Sequence, residues 1–125
     1  MFSDKECYTQ LPAEDLVRAK NFYADNLCLK VVMDESPHMV LLEAGNKTKI
    51  FIYKREKTKA DHTVLGFFTE DVQGTAKKLN ENGIELERYE GLTDENGFAS
   101  RGEMKIAWFK DTEGNIICIN SPFAK

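Results

Sequence analysis

Glu14-Asp15-Leu16-Val17-Arg18-Ala19-Lys20-Asn21-Phe22-Tyr23-Ala24-Asp25-Asn26 is the stretch that decides the fold. Its opening returns as Glu70-Asp71-Val72 and its closing Asn26 returns as Asn82, both at an offset of 56 residues. A fixed offset between matching helix starts and helix ends is the mark of an internal repeat. Within the stretch, Glu14 and Asp15 suit the first turn of a helix, whose exposed N–H groups and dipole favour negative charge. Leu16, Ala19, Phe22, Tyr23 and Leu27 recur at helical spacing, with Arg18, Lys20, Asn21 and Asp25 on the other side. The pattern predicts a helix over 14–26 that lays one face on a sheet. Its copy covers 71–82, with Val72, Ala76 and Leu79 on one face and Gly83 as the stop.

Outward from the helices, β-prone runs bounded by turn residues predict the strands. The first copy has runs at 8–11, ended by Pro12, and at 30–33, 39–43 and 49–53. A polar link over 54–62 leads to the second copy, with runs at 64–68, 84–88, 105–109 and 116–120. Gly45-Asn46 before Ile50-Phe51-Ile52 is echoed by Gly114-Asn115 before Ile117-Cys118-Ile119. The fold class is therefore α+β: two βαβββ repeats, approximately 5–54 and 62–121, in a single domain spanning 1–125. The second copy carries an insertion over 90–102, rich in Gly and polar residues, and a long loop inside a small domain is more often functional than idle. A lid bearing Asp94, Glu95 and Arg101 is the sharper reading of it, and a solvated charged loop the plainer one.

Composition narrows the classes of function. Hydrophobic residues at 42% and charged residues at 30% are the balance of a soluble globular protein. No apolar run approaches the roughly 20 residues needed to span a bilayer. Met1-Phe2-Ser3-Asp4-Lys5 has neither the basic start nor the apolar stretch of a signal peptide, so a cytoplasmic protein is expected. A net charge of −4 argues against nucleic acid as partner. Cys7, Cys28 and Cys118 are odd in number and widely separated, so neither a disulfide framework nor a zinc knuckle is indicated.

Four stretches together resemble the vicinal oxygen chelate superfamily, which includes glyoxalases, bleomycin-resistance proteins and extradiol dioxygenases. They are 15–23, then Asp25-Asn26-Leu27-Cys28-Leu29, then Asp71-Val72 with Leu79-Asn80-Glu81-Asn82-Gly83-Ile84, and finally Trp108-Phe109-Lys110-Asp111-Thr112-Glu113-Gly114-Asn115. Cys28 stands where the family usually has Gly, and Thr112 where it usually has Pro. The resemblance implies two curved sheets, each flanked by its helix, forming a cleft that in many members holds a divalent metal. It also implies that the ligand positions fall at Tyr8, Phe51, Val64 and Cys118. Of these only Cys118 is a credible ligand, and one thiolate does not hold a labile metal, so no metal and no cofactor are expected. His62 and His38 read as exposed loop histidines, and Cys118, between Ile117 and Ile119, as an inert thiol.

Strand alternation assigns Thr9, Leu11, Ile50, Ile52, Leu65, Phe67, Ile117 and Ile119 to the helix-packed side. It leaves Tyr8, Gln10, Phe51, Tyr53, Val64, Phe68, Ile116, Cys118 and Asn120 facing the cleft, with Trp108 close to the last cleft strand. That lining suits a small, partly planar ligand, and the competing reading is that the same residues form a second core. The expected function is metal-free binding of an aromatic or cationic small molecule without turnover, in a homodimer resembling the bleomycin-resistance branch. The alternatives are a glyoxalase-like lyase or dioxygenase with atypical metal ligands, and a family member acting only as an interaction module.

Overall fold

Asp15 and Asp71 begin the two helices in the same way. Asp15 Oδ1 accepts from the Arg18 N–H at 3.0 Å, and Asp71 Oδ1 accepts from the Gly74 N–H at 2.9 Å. Each carboxylate satisfies one of the N–H groups that a helix leaves unpaired at its start. The structure is a computed structural model and describes residues 1–123.

Two compact units divide the chain, one over Met1–Thr58 and one from Lys59 onward. The first contains β1 (Thr9–Ala13), α1 (Leu16–Asn21), β2 (Lys30–Glu35), β3 (Met39–Glu43) and β4 (Lys49–Lys54). Its sheet order is β1-β4-β3-β2, with β1 parallel to β4 and the other pairs antiparallel. The second contains β5 (Thr63–Phe68), α2 (Val72–Glu81), β6 (Phe98–Arg101), β7 (Met104–Lys110) and β8 (Ile116–Asn120), ordered β5-β8-β7-β6 with the same pattern of directions. Both units are the βαβββ motif of the α+β class that the repeat predicts.

Each core lies between a helix and one sheet face. Leu11, Leu16, Ala19, Val40, Leu42, Ile50 and Ile52 are buried in the first unit, and Val72, Ala76, Leu79, Phe109, Ile117 and Ile119 in the second. Leu65 and Phe67 take their expected side opposite Ile117 and Ile119 but remain half-buried.

Four local expectations need correction. The helix over 14–26 is not continuous: α1 ends at Asn21, and a wider turn over Phe22–Asn26 closes with Leu27 N–H to Phe22 O at 3.1 Å, a bond spanning five residues. This widening lets both Phe22 and Tyr23 enter the core, with Tyr23 fully buried and the rings edge-to-face at 5.4 Å. Pro12 does not end β1 but sits inside it opposite Tyr53, tolerated because β1 is the outermost strand of its sheet.

The run 84–88 forms no strand and makes a single ladder-like bond, Glu87 N–H to Trp108 O at 2.7 Å. The missing strand is β6, inside the insertion over 90–102. A two-residue turn of Gly102 and Glu103 links it to β7, with Gly102 at φ +62°. The rest of that segment is fastened to itself by hydrogen bonds. The Asp94 carboxylate accepts the N–H groups of Asn96 and Phe98, both at 2.9 Å, and the Thr93 hydroxyl accepts from Tyr89 N–H at 2.9 Å.

Strand β2 is exposed along its whole length and irregular in its pairing, since the register skips Val32 between Val31↔Leu42 and Met33↔Leu41. Lys20 on α1 reaches Asp34 of β2 at 2.9 Å.

Candidate functional site

In the first unit the sheet face away from α1 carries rings. Gln10, Phe51 and Leu41 stand in one cross-strand row, and Pro12, Tyr53 and Met39 in the next. Tyr8, just before β1 and 56% exposed, sets its ring 6.2 Å from Phe51, and Phe51 lies 6.4 Å from Tyr53. Gln10 Nε2 donates to Tyr8 Oη at 3.2 Å, which fixes the phenol beside the row. The Glu43–Lys49 ion pair, at 2.9 Å, closes the far end of this face, and the lysine hydrogen bond lowers the Glu43 carboxyl below its usual range. Tyr8, Gln10, Phe51 and Tyr53 are thus brought together, and the sheet leaves Phe51 and Tyr53 half-buried.

The matching face of the second unit is built differently. Cys118 stands between Gly66 on β5 and Trp108 on β7, and Asn120 between Phe68 and Ile106. Burial pushes the Cys118 thiol up, which fits the inert thiol expected from its neighbours, and its Sγ lies 3.7 Å from Asn120 Oδ1. Asn120 is itself buried, and its Nδ2 donates to Ser121 O at 2.9 Å. Trp108 Nε1 donates to Thr63 Oγ1 at 3.1 Å, while its ring and that of Tyr89 are edge-to-face with centroids 5.7 Å apart. The Tyr89 hydroxyl is buried with no hydrogen-bond partner among the described residues, and burial, then the Glu87 charge, raises its pKa. Phe68 is 62% exposed and packs edge-to-face on Phe123 at 5.0 Å.

Val64 falls at a β-bulge, since β5 pairs Thr63 with Ile116 and then Leu65 with Ile117. The residue facing Cys118 across the sheet is therefore Gly66, which sequence reasoning missed because counting back from Asp71 runs through the irregularity. A Cβ at position 66 would meet Cys118 Sγ at 3.0 Å, so the glycine leaves the thiol its space. His62 lies outside the strand, exposed and 3.0 Å from Asp61, and His38 is exposed in its turn.

The turn after β7 is a buried polar knot. Asp111 Oδ1 accepts from Glu113 N–H at 2.8 Å and Asn115 N–H at 2.9 Å, and its Oδ2 accepts from Asn115 Nδ2 at 2.8 Å. Asp111, Glu113 and Asn115 are all buried. The N–H and C=O groups that a tight reversal would strand are answered here by one side chain and by Asp111 N–H to Asn115 O at 3.0 Å.

The model of the Glyoxalase/Bleomycin resistance protein/Dioxygenase superfamily matches residues 8–119. The chain belongs to this superfamily. A lactoylglutathione lyase from Agrobacterium tumefaciens is similar in structure at a TM-score of 0.75 and 18% identity, covering 95% of each chain. A glyoxalase family protein from Enterococcus faecalis gives a TM-score of 0.72 at 21% identity, covering 97% of this chain and 100% of its own. A fosfomycin resistance protein from Listeria monocytogenes gives 0.74 at 12%, covering 96% and 94%. At these identities the likeness is one of fold. No curated protein matches the chain.

A superfamily metal would need oxygen and nitrogen donors at the strand positions that the resemblance points to. Phe51 and Val64 carry no donor, the Tyr8 hydroxyl already receives Gln10, and the Cys118 thiol is held away from its thiolate form. Among the described residues no three His, Cys, Asp or Glu side chains come together as a metal group. The residues present do not fit the metal. No described helix is long and apolar enough to cross a membrane.

Proposed function

We propose that this superfamily member binds an aromatic or cationic small molecule without a metal and without turnover, as a homodimer. The observation that carries the reading is the row of rings on the first sheet: Tyr8, Phe51 and Tyr53 at centroid spacings of 6.2 and 6.4 Å, with Phe51 and Tyr53 half-buried. Ring faces attract planar groups and cations alike, and a cation over one is worth about 0.5 to 2 kcal/mol. The net charge of −4 adds a favourable field for a cation. Gln10 supplies a polar contact beside the rings. On the second sheet Phe68 and Trp108 offer aromatic surface, with Cys118 and Asn120 between their strands and Val64 at the bulge. Open edges of two small sheets favour association with a second copy.

Thermal melts with proflavine, ethidium and benzyltrimethylammonium test the binding. At least one should stabilise the protein by mass action. Phe51→Ala should then weaken that probe by about 1 to 3 kcal/mol, the usual worth of a ring stacked on its ligand. A large loss of stability in Phe51→Ala with no probe bound would mean that the face is a filled core. Melts with Ni, Zn, Mn, Co and Fe against chelator should be flat. A reproducible rise that vanishes in Cys118→Ala or Tyr8→Phe would favour a lyase or dioxygenase with atypical ligands. Light scattering should report about twice the 14.3 kDa chain mass, and a monomer at micromolar concentration would remove the dimer from the reading.

A further inference from the structure

The segment that the sequence marks as an insertion borders a hollow that shares no lining residue with the aromatic sheet faces. It measures about 320 Å³ and is lined by Asn80, Gly83, Glu85, Leu86, Arg88 and Asn96. That volume is at the low end for a small-molecule site and suits a molecule of amino-acid size.

Its lining is mostly exposed, and local contacts hold it in place. Gly83, at φ +79°, ends α2 and turns the chain, and buried Ile84 anchors the segment beyond it. Gly97 crosses so close to Leu86 that a Cβ there would meet the Leu86 side chain at 3.2 Å. Asp94 holds the loop that presents Asn96. Arg88 Nε donates to Glu95 O at 3.0 Å, which aligns the guanidinium and leaves its terminal nitrogens without a protein partner among the described residues.

The polar groups around this hollow are of both signs, and apart from the Arg88 Nε bond their side chains are uncommitted. Glu85, Asn80 and Asn96 have side chains that make no hydrogen bond or ion pair among the described residues. A guanidinium receives a carboxylate through two parallel hydrogen bonds, and a carboxylate receives an ammonium. A lone anion would face Glu85, and a lone cation would face Arg88. Two carboxamides supply both donors and acceptors, and Leu86 supplies the single apolar patch. The geometry points to a site for a small zwitterion of the free α-amino acid class, its carboxylate on Arg88 and its ammonium on Glu85, separate from the aromatic face.

Amide chemical shifts of the labelled chain, titrated with L-alanine and L-glutamine, test this site with propionate and ethylamine as single-charge controls. At least one amino acid should move the signals of 80–88 and 96 saturably while leaving those of 49–54 in place, and each control should bind at least about tenfold more weakly. Glu85→Gln and Arg88→Gln should each weaken binding by about tenfold or more, the loss expected when one end of a two-ended charge match is removed. Because Glu85 holds nothing else, Glu85→Gln should melt at the wild-type temperature, which keeps the test sound even if Arg88→Gln disturbs the loop. Absence of saturable shifts at these amides with either amino acid, or binding unaffected by Glu85→Gln, would overturn the assignment. Neither outcome depends on whether the aromatic face binds anything.

Discussion

The same backbone row is filled in opposite ways in the two units. In the first, Gln10, Phe51 and Leu41 stand across β1, β4 and β3; in the second, Gly66, Cys118 and Trp108 stand across β5, β8 and β7. Bulk that sits on the middle strand of one copy sits on the neighbouring strand of the other. The turns before β4 and β8 differ as sharply: one is an exposed reversal with Asn46 at φ +56°, the other a buried knot around Asp111. A repeat fixes where residues stand in the sheet, and leaves each copy free to use its faces differently. The first copy keeps three rings near the surface, while the second turns its polar side chains inward onto one another.

Removing the knot should break this contrast most severely. Asp111→Ala leaves two backbone N–H groups and the Asn115 amide without their buried acceptor, at a cost of about 3 kcal/mol or more. Asn46→Ala in the corresponding turn should cost under about 1 kcal/mol, the penalty of a left-handed residue losing its tolerant side chain. Urea unfolding of both variants checks the pair, and equal losses would mean that the two turns carry the same load.

Tyr89→Phe sharpens the contrast from the other direction. Deleting a buried hydroxyl that has no protein partner among the described residues should raise stability by about 1 kcal/mol, visible as a higher midpoint in the same urea titration. A drop instead would show that the hydroxyl is answered in solution. Cys28 gives a smaller effect in the first unit. It sits at φ +62°, a conformation that costs a side-chain-bearing residue about 1 kcal/mol, so Cys28→Gly should raise the melting temperature slightly after the extra freedom of the unfolded glycine is subtracted.

The slightest effect is one of pH. Asp34 is lowered to about 2, first by the Ser36 hydroxyl and then by Lys20. A carboxyl with a depressed folded pKa adds stability above its unfolded value near 4, and loses it as pH falls from there toward about 2. Asp34→Asn should therefore melt slightly below the wild type at neutral pH and converge with it as pH falls through that window, a small effect because the group is exposed and solvent screens it.

Both helices were legible from their apolar spacing and the first also from the acids Glu14 and Asp15 at its start, and most strands from alternation bounded by turn residues. What escaped did so for physical reasons. Phe98-Ala99-Ser100-Arg101 has one large apolar residue and reads as loop, and only its pairing with β7 makes it a strand. The run 84–88 alternates well but lies where the ladder offers one bond. Pro12 ends a strand by propensity, yet an outer strand has no neighbour to miss its N–H. On the first face Tyr8, Gln10, Phe51 and Tyr53 stand together as alternation implies. On the second, a single bulged residue displaced Val64 and hid Gly66, because a period-two count cannot see an extra residue. The Arg88 hollow left no mark in the sequence, since its lining residues come from a helix end and two loop segments.

Strand β2 carries a consequence for the protein in concentrated solution. Three consecutive apolar side chains, Val31, Val32 and Met33, lie on an outer strand and are between 37% and 47% exposed. A flat strand of that kind is a template for fibrillar growth, because its open N–H and C=O groups accept another strand. Here the skip at Val32 kinks the template, and Lys30, Asp34 and Glu35 place charge at both ends of the apolar run. These are gatekeepers against aggregation. Neutralising Asp34 and Glu35 together should strip the charge from one end of this run and speed fibrillar growth in concentrated solution.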